Sequence, residues 1–198
     1  MLKTIEVVQK ADPAFKMTLA GNFHREIEPY LYDYCIGIKG NRGSDFPPEV
    51  LERRKAEGKK STYYTCCAEP YPNIFTFSDP AEAVYLAYNM AARGVDGYLR
   101  WAVISWPLEP LMDARYTTWA AGDTYSIYPG NRTSIRFERL TEGIQDFEKI
   151  RILREEYLGY GNVKALNELE AALSPFKDWN LDLETVEAGL SRVKALLR

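Results

Sequence analysis

The chain has 198 residues, 46% of them hydrophobic, which is enough for one domain to bury a real core. Its formal charge of -3 comes from interspersed acidic and basic residues, so it presents no electrostatic footprint for nucleic acid or an anionic membrane surface. No apolar run reaches membrane-spanning length, and the charged, amphipathic stretch from Met1 to Lys10 does not resemble a signal peptide.

In chain order, Leu2, Ile5 and Val8 have helical spacing up to Asp12-Pro13, and this helix starts without a capping residue. Phe15 to Ala20 reads as a strand closed by Gly21-Asn22, and Tyr30 to Ile36 as a second strand fed by a short helical turn. Pro47-Pro48 opens a charged helix through Glu57. Gly58 ends it, and Lys60 to Cys67 forms a third strand rich in Thr and Tyr. Asp79-Pro80-Ala81-Glu82 combines an N-cap, a proline in the first turn and a capping box, predicting a helix to about Arg93 that Gly94 stops. Tyr98 to Ile104 is a fourth strand, whose continuous apolar character predicts burial on both faces. A long loop follows, then a helix from about Ser134 to Tyr157, softened near Gly143. Two amphipathic helices, Asn162 to Leu173 and Asp182 to Leu197, close the chain as a hairpin around Pro175 and Trp179.

Strands alternating with helices predict parallel strands joined by right-handed crossovers, in a barrel or a doubly wound sheet. No glycine-rich phosphate loop follows any strand, which disfavours a nucleotide cofactor. Cys35, Cys66 and Cys67 are odd in number and read as reduced thiols. With His24 the only histidine, they make no metal set, and no cofactor is expected.

The chemistry concentrates between Gly97 and Glu148. Trp101, Trp106 and Trp119 offer flat apolar faces suited to sugar rings, and Asp123 offers a carboxylate for hydroxyl pairs, all on or beside a long loop after a strand. Each has a plainer alternative: a core role for Trp101, loop packing for Trp106 and Trp119, an Asp turn for Asp123. Tyr63 and Tyr64 face opposite sides of their strand, so one of them is a substrate candidate, and Asn22 sits at a strand end. Glu109 and Asp113 could form an acid and base pair, but Arg115 offers a salt-bridge partner for either loop carboxylate. Arg136, Glu138, Arg139, Asp146 and Glu148 are explained by pairs three and four apart on a helix surface, and His24 by a solvated turn.

The strand Gly97-Tyr98-Leu99-Arg100-Trp101, then Gly122-Asp123, Tyr128-Pro129-Gly130, Ser134-Ile135-Arg136 and Gly143-Ile144-Gln145-Asp146-Phe147-Glu148, in this order, resembles the C-terminal half of the glycoside hydrolase family 123 catalytic domain. The resemblance implies the C-terminal half, roughly (β/α)4, of a TIM-like (β/α)8 barrel over residues 1–157, with a helical hairpin over 158–198 packed on the same domain. It further implies a retaining hydrolase of β-linked N-acetylgalactosaminides, in which the substrate's own acetamido group takes part. An adjacent Asp-Glu pair does the chemistry in that family, and this sequence contains none. The expectation is therefore a substrate-lining part of a glycosidase, inactive alone, whose partners are an N-acetylhexosamine-containing glycan and either a missing N-terminal half-barrel or a second copy. The family's enzymes are typically exported, so the parent enzyme is expected to be periplasmic or secreted. The alternatives are a free-standing, non-catalytic carbohydrate-binding or interaction domain and an unrelated hydrolase using Glu109, Asp113 and Asp123.

Overall fold

The computed structural model describes residues 1–38 and 45–197, which group into two compact units. The first takes in Met1–Tyr64 and Val95–Leu99, the second Thr65–Gly94 and Arg100–Arg198.

The first unit is built on a sheet. Helix α1 (Leu2–Ala11) precedes strand β1 (Thr18–Gly21). Strand β2 (Asp33–Gly37), helix α2 (Pro48–Ala56), strand β3 (Lys60–Thr65) and strand β4 (Gly97–Arg100) follow. The strands lie in the order β1-β2-β3-β4. β1 pairs parallel with β2 (Thr18 opposite Asp33), and β2 parallel with β3 (Asp33 opposite Lys60). The order therefore runs steadily in one direction, without the reversal of a doubly wound sheet. In β3 the residues alternate as a half-buried strand should, with Ser61 and Tyr63 buried and Thr62 and Tyr64 half-buried.

A buried arginine holds the entrance to β2 and β3. Arg54 of α2 is 1% exposed; its Nε donates to Ser61 Oγ at 2.8 Å and its Nη1 to Glu28 Oε1 at 2.9 Å and Leu31 O at 3.1 Å. Nη2 reaches Tyr32 O and Lys60 O at 3.2 and 2.5 Å. One guanidinium thus satisfies carbonyls just ahead of β2 and at the start of β3, while the buried Glu28 balances its charge.

The second unit is a helical core. Helix α3 (Pro80–Arg93) carries the expected capping box from Asp79 and Glu82 and ends at Gly94 with φ of 70°. It packs against helix α4 (Ile135–Gly159), and both share a core with α5 (Val163–Leu173), the 3-10 turn Ser174–Lys177 and α6 (Leu183–Leu196). The hairpin expected at the end of the chain is present, capped by Asn162 and Asp182 at its two helix starts. Among the described residues, no helix is long and apolar enough to cross a membrane.

Three expectations need correction. α4 is continuous through Gly143, because that glycine lets α3 approach: a Cβ there would lie 2.9 Å from Ala87 Cβ and 3.2 Å from Val84 Cα. β4 is only four residues long, and Leu99 and Ile104 are exposed, so the apolar run from Tyr98 to Ile104 is mostly a loop rather than a doubly buried strand. Arg136 is buried rather than paired on a helix surface, and Asp146 is buried as well: its Oδ2 accepts from Tyr88 Oη at 2.9 Å inside the α3–α4 contact, while its Oδ1 keeps the expected pairing three residues on, with Lys149 at 3.8 Å.

The close approach at Gly143 predicts that Gly143→Val lowers the unfolding free energy by about 1–3 kcal/mol through overpacking. Gly159→Ala, which adds its Cβ into open space, should be neutral or gain roughly 0.5–1 kcal/mol. Denaturant melts of the two variants check the contrast.

Candidate functional site

The second unit carries the aromatic loop. Residues 101–134 contain no helix or extended strand, yet the loop is tied at many points. Ser105 N donates to Thr124 O at 3.0 Å, Thr124 Oγ1 to Ser105 O at 2.6 Å and Ser126 N to Val103 O at 3.0 Å, so the outgoing and returning arms are zipped together. Farther out, Tyr125 Oη donates to Pro110 O at 2.8 Å and Gly122 N to Ala114 O at 2.8 Å. Gly122 is required on two counts: its φ is 79°, and a Cβ would lie 2.7 Å from both Arg136 Nη1 and Thr76 Cγ2.

On this framework stand the indoles. Trp101 and Trp119 are 40% and 37% exposed, and their rings pack against each other at 5.5 Å between centroids with planes tilted by 59°. Two tryptophans eighteen residues apart thus form one exposed aromatic corner. Trp106 is 41% exposed and its Nε1 donates to Ile127 O at 2.7 Å, fixing the ring while leaving part of it open to solvent. Leu108, Leu111, Met112 and Tyr116 on the same loop are exposed too. Exposed apolar side chains are thus gathered on one anchored loop.

Behind the indoles lies a buried polar layer. Arg100 Nη1 donates to Thr65 O, Thr65 Oγ1 and Asn73 Oδ1 at 3.1, 3.0 and 2.9 Å. Its Nη2 donates to Asp123 O at 2.7 Å and Asp123 Oδ1 at 2.5 Å. Asp123, expected on sugar hydroxyls or in a simple turn, is fully buried and serves as the counter-ion of Arg100. Arg136 Nη1 donates to Ile74 O and Gly122 O at 2.7 and 2.9 Å. Burial pulls the Arg136 guanidinium below its ordinary range, partly offset by Tyr128. Burial also raises Glu69, which accepts from Cys66 N at 2.9 Å, and raises the Cys67 thiol, with Asp123 adding to the latter.

The other loop carboxylates are exposed. Asp113 is gripped by Arg115 through Nε at 2.9 Å and Nη2 at 2.7 Å, which lowers its carboxyl to about 2. Glu109 is solvent-facing and its carbonyl accepts from the amides of Met112 and Asp113 in a turn.

In the first unit, Asn22 is exposed at the end of β1; its carbonyl accepts from Tyr34 Oη at 2.5 Å, and the same Oη accepts from His24 N at 2.8 Å. Tyr63 is 1% exposed, donates to Asp45 Oδ1 at 2.8 Å and packs edge-on against Phe46. Tyr64 is half-buried. Of the two tyrosines, Tyr63 is therefore the core member. His24 is exposed, as a turn residue would be. Among the described residues no cluster of His, Cys, Asp or Glu could hold a metal ion.

Sequence reasoning passed over Arg100 as a functional residue, and it read Arg136 as a surface charge. The available signal was position: each is an arginine flanked by apolar residues, Leu99 and Trp101 in one case, Ile135 and Phe137 in the other.

The model of the glycoside hydrolase 123 catalytic domain matches residues 1–153, and the chain belongs to that family. Thirteen chains of solved structures match. One is a family 123 glycoside hydrolase from Clostridium perfringens, studied for glycolipid glycan hydrolysis. It aligns with a TM-score of 0.77 and 23% identity over 99% of this chain and 38% of its own. This chain therefore spans about two-fifths of that enzyme's length. No curated protein matches.

The two carbonyls served by Arg136 predict that Arg136→Lys, which lacks the planar fork, destabilises the protein by about 1–3 kcal/mol. Thermal unfolding measures it; an unchanged midpoint would remove Arg136 from the loop's support.

Proposed function

We propose that the chain is the substrate-lining part of a retaining glycoside hydrolase acting on β-linked N-acetylgalactosaminides with help from the substrate's acetamido group. Membership of the glycoside hydrolase 123 family supports this reading, and so does the steady strand order, which suits one half of a (β/α)8 barrel. The observation that carries it is the exposed Trp101–Trp119 corner just past the C-terminal end of β4, the end at which barrel enzymes gather their sites.

In this reading the two indoles stack on the apolar face of a sugar ring, with Trp106 extending the platform along the glycan. Within the first unit, Asn22 and Tyr64 are separate candidates for sugar contact, and Tyr63 is a core residue. The adjacent Asp-Glu pair that would orient the acetamido group and move the proton comes from polypeptide outside these 198 residues, so the isolated chain binds without turnover. The open edges of the half-barrel are covered by that polypeptide or by a second copy. The parent enzyme works outside the cytoplasm.

A free-standing carbohydrate-binding domain is the second reading, favoured by the same indoles and by the lack of the carboxylate pair.

Titration calorimetry of the purified chain with an oligosaccharide ending in β-linked N-acetylgalactosamine tests the shared claim. Trp101→Ala and Trp119→Ala should each weaken binding by about 1–3 kcal/mol, the range of an aromatic anchor. Wild-type affinity in both variants would sink the platform. Release of nitrophenol from a nitrophenyl N-acetyl-β-galactosaminide by the chain alone would overturn the assignment as non-catalytic.

A further inference from the structure

We propose that Arg100 is a positioning residue that sets the geometry of the Trp101–Trp119 corner. Its side chain is 2% exposed, so it does not meet a ligand itself. It is joined to Trp101 through the backbone, and through Asp123 it grips the returning end of the loop four residues after Trp119. Between these points the chain is short and closed: Asp123 N donates to Ala120 O at 3.0 Å and Trp119 N to Tyr116 O at 3.0 Å, while Thr76 N holds Ala121 O at 2.9 Å. A shift of Asp123 is therefore passed to Trp119 rather than absorbed by slack. Nη1 fixes the other side of the same guanidinium on Thr65 at the end of β3 and on Asn73. Both loop ends are thus referred to one rigid, planar group.

The way the pair is joined supports this over a role in charge balance alone. Arg100 meets the Asp123 carboxylate through a single Nη2–Oδ1 contact, and Arg100 Nε and Asp123 Oδ2 are buried without hydrogen-bond partners. A pair selected only to neutralise two buried charges would close bidentately. Here Nη2 divides its bonding between the carbonyl and the carboxylate of Asp123, and Nη1 goes to Thr65 and Asn73. Reach across the layer has been gained at the expense of the ion pair's own geometry.

Lysine in this place keeps the charge but has no fork to span Thr65, Asn73 and Asp123 together. The tilted indoles supply a readout independent of any sugar: two such rings in contact give a far-ultraviolet exciton couplet in circular dichroism, which Trp119→Phe abolishes and so identifies. In Arg100→Lys the couplet should fall by more than half while the helical signal stays. Affinity for the N-acetylgalactosamine-terminated oligosaccharide should drop roughly tenfold or more, as expected of a misplaced contact group.

If the lysine variant does not fold, the double variant Arg100→Met/Asp123→Asn decides the matter. It removes both buried charges at similar volume, a change proteins often tolerate without loss of stability. A folded variant of either kind with the couplet intact overturns the proposal. The affinity arm rests on reading the corner as a sugar platform, and the two arms separate. A lost couplet in a protein whose wild type binds no sugar upholds Arg100 as the positioning residue and rejects the platform.

Discussion

Buried guanidinium groups at the strand ends are the constraint on which the rest of this molecule depends. A short parallel strand leaves carbonyls at its ends that neither the sheet nor water satisfies, and each such buried group costs about 1–3 kcal/mol if left alone. Arg54 serves the starts of β2 and β3, Arg100 serves the end of β3 and the return of the aromatic loop, and Arg136 serves Ile74 and Gly122. A guanidinium suits this work because it offers five donors in one plane and stays charged when buried. The loop beyond β4 can then be long, irregular and partly apolar, because its two ends are fixed by groups that hardly move.

The layer also separates support from contact. Arg100, Asp123 and Arg136 lie inside, while Trp101, Trp106 and Trp119 stand outside with rings more than a third exposed. Loops that bind must present apolar surface to water without collapsing onto it, and that needs backbone anchorage that does not use the presenting side chains. Trp106 shows the division within one residue: its N–H is spent on Ile127 O and its ring remains available.

Much of the fold was legible in the sequence because its signals were local. The capping box at Asp79 and Glu82, the stop at Gly94 and the caps at Asn162 and Asp182 are matters of a few neighbouring residues, and the helices they define are present. The α/β class and the parallel sheet followed from alternation of elements. Gly143 misled because a helix glycine reads as a weakness in one dimension; its reason, helix α3 lying against it, is 56 residues earlier at the Ala87 side chain. Arg136 misled in the same way, since helix periodicity offers surface partners for any charge and says nothing of a carbonyl from a distant loop. The aromatic residues of the site were visible as types. The joining of Trp101 to Trp119, and the burial of Asp123 beneath them, depend on how the loop folds back, and no spacing rule carries that.

The loop carboxylates differ sharply in their surroundings, and the surroundings decide what each can do. A general acid for glycoside cleavage must hold its proton near the working pH, which is usually achieved by taking a carboxyl out of water and away from cations. Asp113 has the opposite surroundings: Arg115 binds it through two nitrogens in solvent and holds it at about 2, so near neutrality it has no proton to give. Asp123 is out of water, bound by the Arg100 guanidinium, and no face of it is open to a substrate. Glu109 is open to solvent. A hydrolase built from these three would lack an enclosed carboxyl open to a substrate, since Asp113 and Glu109 lie in solvent and Asp123 is sealed. What the loop does possess is tied ends and an exposed indole corner, and none of its three carboxylates is both enclosed and open to a substrate.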